Sequence, residues 1–397
     1  MIPLLLALVQ PPACDPDNAG LKLPDGFCAK LVLQDFQGVR HIAVTSSGEL
    51  FVARRAQQAR GFYLLRDTTG DGRFDLIQQL DSTGGTGVLW TPEAVYFAPD
   101  NRVLRFEWRK GGGESMPQGQ VIVRDLPVGG HSAKTLAMGQ DGGLFVDFGS
   151  RTNSCQQQDR QNTSPGISPC PELETRAGIW RFDPNRTDQT PADGKRWATG
   201  LRNAMAIAVE PTTGTLYAAV HGRDQLTQNW GFSAEEGAEN PAEEFGPMVA
   251  GADYGWPYCY YDPRNKRKVQ TPEYGGDGTK VGDCDRKLQP AVAFPAHWAP
   301  MATLFYTGTM FPAKYRNGAF ISFHGSWNRG TTPDAQQGFR VVFVPFQSGR
   351  PTGTWEDFAT PAGAHNSIRP TGLAMGPDGS LYISSDREGK IWRVARK

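Results

Sequence analysis

Arginine and histidine recur in this sequence at the edges of short apolar runs, and those edges hold the residues with chemical potential. Immediately before such runs stand Arg40, His131, Arg202, His297 and Arg369. After the runs that follow come Arg54 and Arg55, Gly149-Ser150-Arg151, His221-Gly222-Arg223-Asp224, and His324-Gly325-Ser326-Trp327-Asn328-Arg329. The chain has 6 His, and four of them fall at these positions. Guanidinium matches a carboxylate with two parallel N–H donors and stays charged, whereas imidazole exchanges its proton near neutrality. Lys+Arg and Asp+Glu are equal at 41 each, so overall charge predicts no affinity for nucleic acid or anionic membranes. A local cationic funnel in a neutral protein points instead to an anionic small ligand.

The elements that must position these residues are repeats of one pattern: an apolar run, a turn usually carrying Gly, then a second apolar strand ending in polar residues. The copies are RHIAVTSSGELFVAR, TGVLWTPEAVYFAP, KTLAMGQDGGLFVDFG, NAMAIAVEPTTGTLYAAV, ATLFYTG with NGAFISFHG, and TGLAMGPDGSLYISS. Short-strand repeats at intervals of about forty residues or more, written about six times, predict an all-β fold, a β-propeller. In each blade the innermost strand leaves one face and the second returns to it, so the edge residues meet at one mouth of the central channel. GFCAKLVLQDF reads as one strand without a hairpin partner, while GLAMGPDGSLYISSDREGKIWRVARK gives three. One plus three completes a blade, so the N-terminal strand is expected to close the ring. Residues 21–397 then form one propeller, with 1–20 as leader and linker.

The 397 residues contain 47 Gly and 30 Pro, which suits many turns and few long helices. No 18-residue apolar stretch occurs. IPLLLALV near the start resembles the apolar core of an export signal, without a basic flank. Six cysteines allow about 15 pairings, of which the sequence-local set, Cys14 with Cys28, Cys155 with Cys170 and Cys259 with Cys284, is the most economical. None has the CxxC spacing of a zinc site, and an even set closing loops implies an oxidising compartment, hence an exported protein. Residues 151–175 read as a stapled loop over the rim, and 222–300 as an insertion in the fourth to fifth blade region, a degenerate seventh blade being the competing count. Asp67 to Asp75 places oxygen ligands at the first, third, fifth and ninth positions of a calcium loop. Gln78 occupies the twelfth, so a tight turn is the preferred reading. His297, His365 and the core strand FRVVFVPF read as structural.

Six ordered segments carry a family resemblance: GGHSAKTLAMGQDGGLFVDFGS (129–150), GLRNAMAIAVEPTTGTLYAAVHGRD (200–224), DYGWPYCY (253–260), HWAPMATLFYTG (297–308), HGSWNR (324–329) and RPTGLAMGPDGSLYISSD (369–386). From about Gly26 to Arg396 the chain resembles the soluble quinoprotein sugar dehydrogenases, in the sorbosone dehydrogenase-like branch related to soluble glucose dehydrogenase and fungal pyranose dehydrogenase. The resemblance implies a six-bladed β-propeller of four-stranded antiparallel blades, holding pyrroloquinoline quinone (PQQ) and Ca²⁺ at the channel mouth. It implies Arg202, Arg369 and Arg40 as clamps on the quinone's carboxylates, with Asn203 adding a hydrogen bond. In HGSWNR it places Trp327 against the flat ring and His324 or Arg329 on a carboxylate. His131 matches the catalytic histidine that takes the hydroxyl proton as hydride leaves for the quinone. Main-chain carbonyls of Gly222 and Arg223, with Asp224 adjacent, match the calcium position. The substrate implied is a sugar or sugar-derived aldehyde, and the electrons go to an external acceptor, a cytochrome or a quinone.

The chain departs from soluble glucose dehydrogenase where Gly130 replaces an acidic residue beside the catalytic histidine, and where a longer stretch around Glu243 and Glu244 replaces the acidic calcium loop. Two other functions fit a propeller. A metal-dependent lactonase needs a central metal caged by inward Glu, Asp and Asn. A non-catalytic propeller would bind a glycan or protein partner.

Overall fold

The structure is a computed structural model that describes residues 14–108, 116, 118–330, 332 and 335–397. The export-signal-like stretch IPLLLALV lies outside the described residues.

Six four-stranded antiparallel sheets follow one another in chain order, and in each the first strand of the repeat is innermost. Blade 1 comprises Val39–Val44, Leu50–Arg55, Arg60–Arg66 and Leu76–Asp81. Blade 2 comprises Gly85–Trp90, Ala94–Pro99, Val103–Glu107 and Gln120–Val123. Blade 3 is built from Leu136–Met138, Leu144–Phe148, Gly178–Phe182 and Lys195–Thr199. Blade 4 uses Ala206–Val209, Leu216–Val220, Glu243–Pro247 and Val292–Phe294. Blade 5 uses Pro300–Phe305, Ala319–Phe323, Arg340–Val344 and Glu356–Pro361. In blade 6 the C-terminal strands Pro370–Met375, Leu381–Ser385 and Lys390–Arg396 take their outer partner from the N-terminus, Phe27–Leu33.

The repeated turn works because of its glycine: Gly48, Gly142, Gly214 and Gly379 all adopt a left-handed φ between 72° and 96°. Second strands read as almost unbroken apolar runs because both faces are covered by neighbouring blades. Leu144–Phe148 and Leu381–Ser385 are buried at every position, whereas the outer strand Leu76–Asp81 alternates between exposed and half-buried. Between blades 1 and 2, Phe62 stacks on Phe97 at 4.6 Å, and between blades 2 and 3, Phe148 stacks on Trp180 at 4.4 Å on the blade 3 side. Each such fully buried aromatic stabilises by about 1.5–3 kcal/mol relative to exposure.

All three expected disulfides are present: Cys14–Cys28, Cys155–Cys170 and Cys259–Cys284. Residues 14–20, expected as linker, pack on blade 6: the Leu31 amide donates to Asp15 Oδ2 at 2.7 Å and the Trp392 indole donates to the Ala19 carbonyl at 3.1 Å. Leu21–Lys22 then adds a fifth strand to blade 5. The segment 222–300 is only partly an insertion. It supplies the two outer strands of blade 4, plus short helices Leu226–Trp230 and Ala234–Glu239 and a separate hairpin, Cys259–Asp262 with Arg267–Gln270. That two-stranded hairpin is not a seventh blade. The Asp67 to Asp75 loop joins two outer strands of blade 1, and its carboxylates accept the loop's own amides: Asp67 from Gly70 and Gly72, Asp71 from Arg73. Among the described residues no helix is long and apolar enough to cross a membrane.

Candidate active site

The edge residues converge at one end of the channel, because every blade sends its inner strand away from that face and its second strand back. Below them the inner strands of all six blades line an apolar cavity of about 420 Å³. His41, at its upper end, bridges the channel by an Nε2 contact of 2.7 Å with the Met301 carbonyl. Burial depresses its pKa to about 4, so it is a neutral structural strut.

His131 lies on the segment entering blade 3, against the residues that leave its second strand. Its Nδ1 stands 3.0 Å from both the carbonyl and the hydroxyl oxygen of Ser150. The Ser150 hydroxyl spends its hydrogen on the Thr152 carbonyl at 2.7 Å, so both Ser150 oxygens face Nδ1 as acceptors. The proton therefore resides on Nδ1, and Nε2 presents a bare lone pair. Burial, aided by the Arg202 charge, holds the imidazole pKa well below its ordinary 6.5. Close backbone approach makes this possible: a Cβ on Gly149 would stand 2.5 Å from the His131 carbonyl oxygen and 2.8 Å from Asn203 Oδ1. At Gly130, φ is +63° and a Cβ would lie 2.1 Å from the Arg151 carbonyl oxygen. No acidic side chain fits there on this backbone, which explains the departure noted at that position.

Two charged networks flank His131. In the first, Asp224 accepts from Arg202 and Arg160, each at 2.8 Å, and from Asn328 Nδ2 at 2.8 Å. Asn153 braces it, accepting from Arg202 and from the Asp224 amide. Burial pushes the Asp224 carboxyl up, but Arg202 first, then His297 and Arg160, hold it well below the usual range. In the second, Asp386 accepts from His324 Nε2 at 2.9 Å and pairs with Arg40 at 3.2 Å. Arg369 donates to His324 Nδ1 at 3.0 Å, which fixes His324 as its Nε2–H tautomer. Between the networks, Glu243 is buried, accepts the amides of Gly222 and Ala299 at 2.8 and 3.0 Å, and is pushed up by burial to about 7.

The structure thus brings together His131, Arg40, Arg202, Asn203, His324, Arg369 and Asp224. The side chains of others are committed elsewhere, which leaves the main-chain carbonyl role expected of Arg223 as it was. All of Arg329's side-chain contacts are structural, to the carbonyls of Ala238 and Ala296 and to Glu239. Arg223 is buried against Glu273 at 2.7 Å and also donates to the Asp224 carbonyl. Asp224 cannot serve as a calcium ligand while both its oxygens are held by guanidinium and amide donors. Trp327 stands on the rim at 62% exposure. Asp386, Asn153 and Arg160 were not anticipated. Asp386 was findable, since it ends the sixth repeat just as charged residues end the others, whereas Asn153 and Arg160 sit in the stapled loop, which has no strand pattern.

Whether a polyanionic quinone fits can be judged from buried polar atoms that lack a partner. Three lie in the mouth: Arg40 Nε, Asn203 Oδ1 and Asn328 Oδ1. The Arg40 Nε–H, with the half-buried Arg369 beside it, suits a ligand carboxylate or carbonyl, whereas the two amide oxygens call for an N–H or O–H on the ligand's edge. For calcium the fit is narrower. Among the described residues no three His, Cys, Asp or Glu side chains gather to hold a metal. The main-chain carbonyls of Gly222 and Arg223 are the hard oxygen ligands at the expected position, with the Glu243 carboxyl on the Gly222 amide.

A six-bladed propeller with one arginine- and histidine-lined mouth defines a ligand-binding propeller with a candidate general base. The chain belongs to the TrAA12-like family, whose model matches residues 21–397. A PQQ-dependent sugar dehydrogenase of Hypocrea jecorina is 23% identical over 426 residues, covering 96% of this chain and 91% of that protein. An uncharacterised protein of Borreliella burgdorferi is 26% identical over 202 residues, and the chain spans only 48% of its length. Among solved structures, the calcium structure of a Trichoderma reesei carbohydrate-active enzyme of family AA12 superposes with a TM-score of 0.78 at 20% identity, covering 95% of this chain and 97% of that one. The holo PQQ domain of Coprinopsis cinerea pyranose dehydrogenase gives the same TM-score, identity and coverage.

Proposed function

We propose that this protein is an exported PQQ-dependent dehydrogenase of sugars or sugar-derived aldehydes that passes electrons to an external acceptor. The observation that carries this reading is His131: its tautomer is locked by Ser150, so a bare Nε2 faces the mouth beside a cluster of guanidiniums. Its named relatives and the three disulfides support the substrate class and the oxidising compartment.

Arg40 and Arg369 would hold the cofactor's carboxylates, and the amide oxygens of Asn203 and Asn328 would accept from an N–H or O–H on its edge. When bound, the quinone accepts the two electrons and hydrogen of the substrate's C–H bond. Nε2 of His131 removes the hydroxyl proton from the carbon being oxidised. Ser150 then stabilises the resulting imidazolium through Nδ1–H, and the Asp224 carboxylate partly offsets the like charge of Arg202. The carbonyls of Gly222 and Arg223 would hold calcium next to the cofactor.

The test is a spectral titration of the purified chain with PQQ, with and without Ca²⁺, followed by sugar and a dye acceptor. Saturation near one equivalent, with dye reduction lost in His131→Ala, is the expected result. Absence of saturable quinone binding under any metal condition overturns the reading in favour of a non-catalytic propeller. A lactonase is disfavoured because the mouth carboxylates Asp224 and Asp386 are both committed to arginines.

A further inference from the structure

A shallow groove of about 480 Å³ runs over the mouth face between blades 1, 2 and 3, lined by Arg55, Gln57, Arg60, Thr83, Asp100 and Asn101. Chain order puts them all on that face: they follow the second strands of blades 1 and 2 or immediately precede the first strand of blade 2. The floor is rigid. Arg55 grips both oxygens of Asp100 at 2.9 and 2.8 Å, and Ser132 donates to Asp100 at 2.9 Å while accepting from Arg55 at 3.1 Å. Ser132 follows His131 in the chain, so the residue next to the candidate base is hydrogen-bonded to the groove's floor. Gln57, Arg60 and Asn101 are exposed along it, and Val128 contributes an apolar wall at 52% exposure.

This composition selects among ligand chemistries. An apolar ligand would have to desolvate the Arg55–Asp100 pair without compensation. A pyranose ring instead offers hydroxyls at its edge for planar amide, carboxylate and guanidinium groups, and a C–H face for Val128. The volume lies in the roughly 300–1,000 Å³ range of small-ligand clefts. We propose that the groove binds the sugar unit attached to the one being oxidised, which makes oligosaccharides the preferred substrates. The proposal rests on the dehydrogenase reading and names the substrate class of that same mouth.

The test compares matched pairs, glucose with cellobiose, galactose with lactose and xylose with xylobiose, on the chain reconstituted with PQQ and Ca²⁺. For at least one pair the disaccharide KM falls about tenfold with kcat little changed, a difference worth one decade of affinity. Gln57→Ala and Asn101→Ala raise that KM to the monosaccharide value and leave monosaccharide kcat/KM unchanged. Equal KM within every pair, or variants that weaken both members alike, overturns the groove while leaving the dehydrogenase reading intact. If no sugar is oxidised, the dehydrogenase reading fails first. Calorimetric titration of the same chain with cellobiose, lactose and xylobiose then decides the groove, and the lack of saturable binding overturns it.

Discussion

At the residue scale the decisive feature is the neutral partner of His131. A histidine held by a carboxylate would have a raised pKa; this one is held by a carbonyl and a hydroxyl, in a buried place next to Arg202, and its pKa is lowered. A lowered pKa means the imidazole stays deprotonated as pH falls, so the base form persists through neutrality. We expect the acid limb of kcat/KM to fall well below pH 6.5; an inflection at or above that value would contradict the neutral-partner assignment. Ser150→Ala removes one of two acceptors without emptying the site, at a cost of ~1 kcal/mol. It should lower kcat by about fivefold to tenfold and leave quinone binding unchanged, whereas His131→Ala should lower kcat by about 10²–10⁴. At the metal position the two carbonyls are neutral and the neighbouring Glu243 carboxyl, raised by burial to about 7, carries only part of a charge at neutral pH, so a bare ion meets little attraction. Calcium and quinone should therefore each tighten the other's binding, as linkage requires, in absorbance titrations run at several calcium levels. Tight calcium binding without quinone would show that other ligands exist.

At the element scale, the two stapled excursions serve the mouth more than the blades. The Cys155–Cys170 loop delivers Asn153 and Arg160 to Asp224, and Gly166 and Tyr274 tie it to the blade 4 excursion through main-chain oxygens of Glu273, Ser154 and Cys155. Replacing Cys155 and Cys170 by Ser removes a loop closure worth ~2–4 kcal/mol. The expected phenotype is weakened quinone binding together with a lower Tm, while the far-ultraviolet circular dichroism of the strands is kept. Loss of the strand signal would mean that the loop nucleates the ring instead of decorating it.

At the scale of the whole molecule, closure of the ring depends on the N-terminus twice. Phe27–Leu33 completes blade 6, and Leu21–Lys22 crosses to the outer edge of blade 5. A chain beginning at residue 38 would expose the edge of Lys390–Arg396 and uncover Trp392, which is 1% exposed in the intact ring. Such a chain should aggregate or lose its cooperative thermal transition, read by calorimetry. An unchanged Tm would show that five closed blades hold the sixth without its outer strand.

What the residues alone determined follows from local periodicity. Apolar runs around a glycine turn specify a hairpin, and six hairpins in order specify blades, the mouth face and the local disulfides, because each depends on residues close in sequence. The same logic found His131, Arg40, Arg202 and Arg369, since each stands at a strand edge. Only the tertiary structure decided which guanidiniums are spent. Arg202, Arg223 and Arg329 look like Arg369 in the chain, but Asp224, Glu273, Glu239 and distant carbonyls claim them. Asp224 looked like a metal ligand until Arg160 arrived from 64 residues away. Hydrogen-bond partners of this kind come from loops without a repeat, and a charged group's role depends on which partner reaches it first in space. Local pattern cannot encode that.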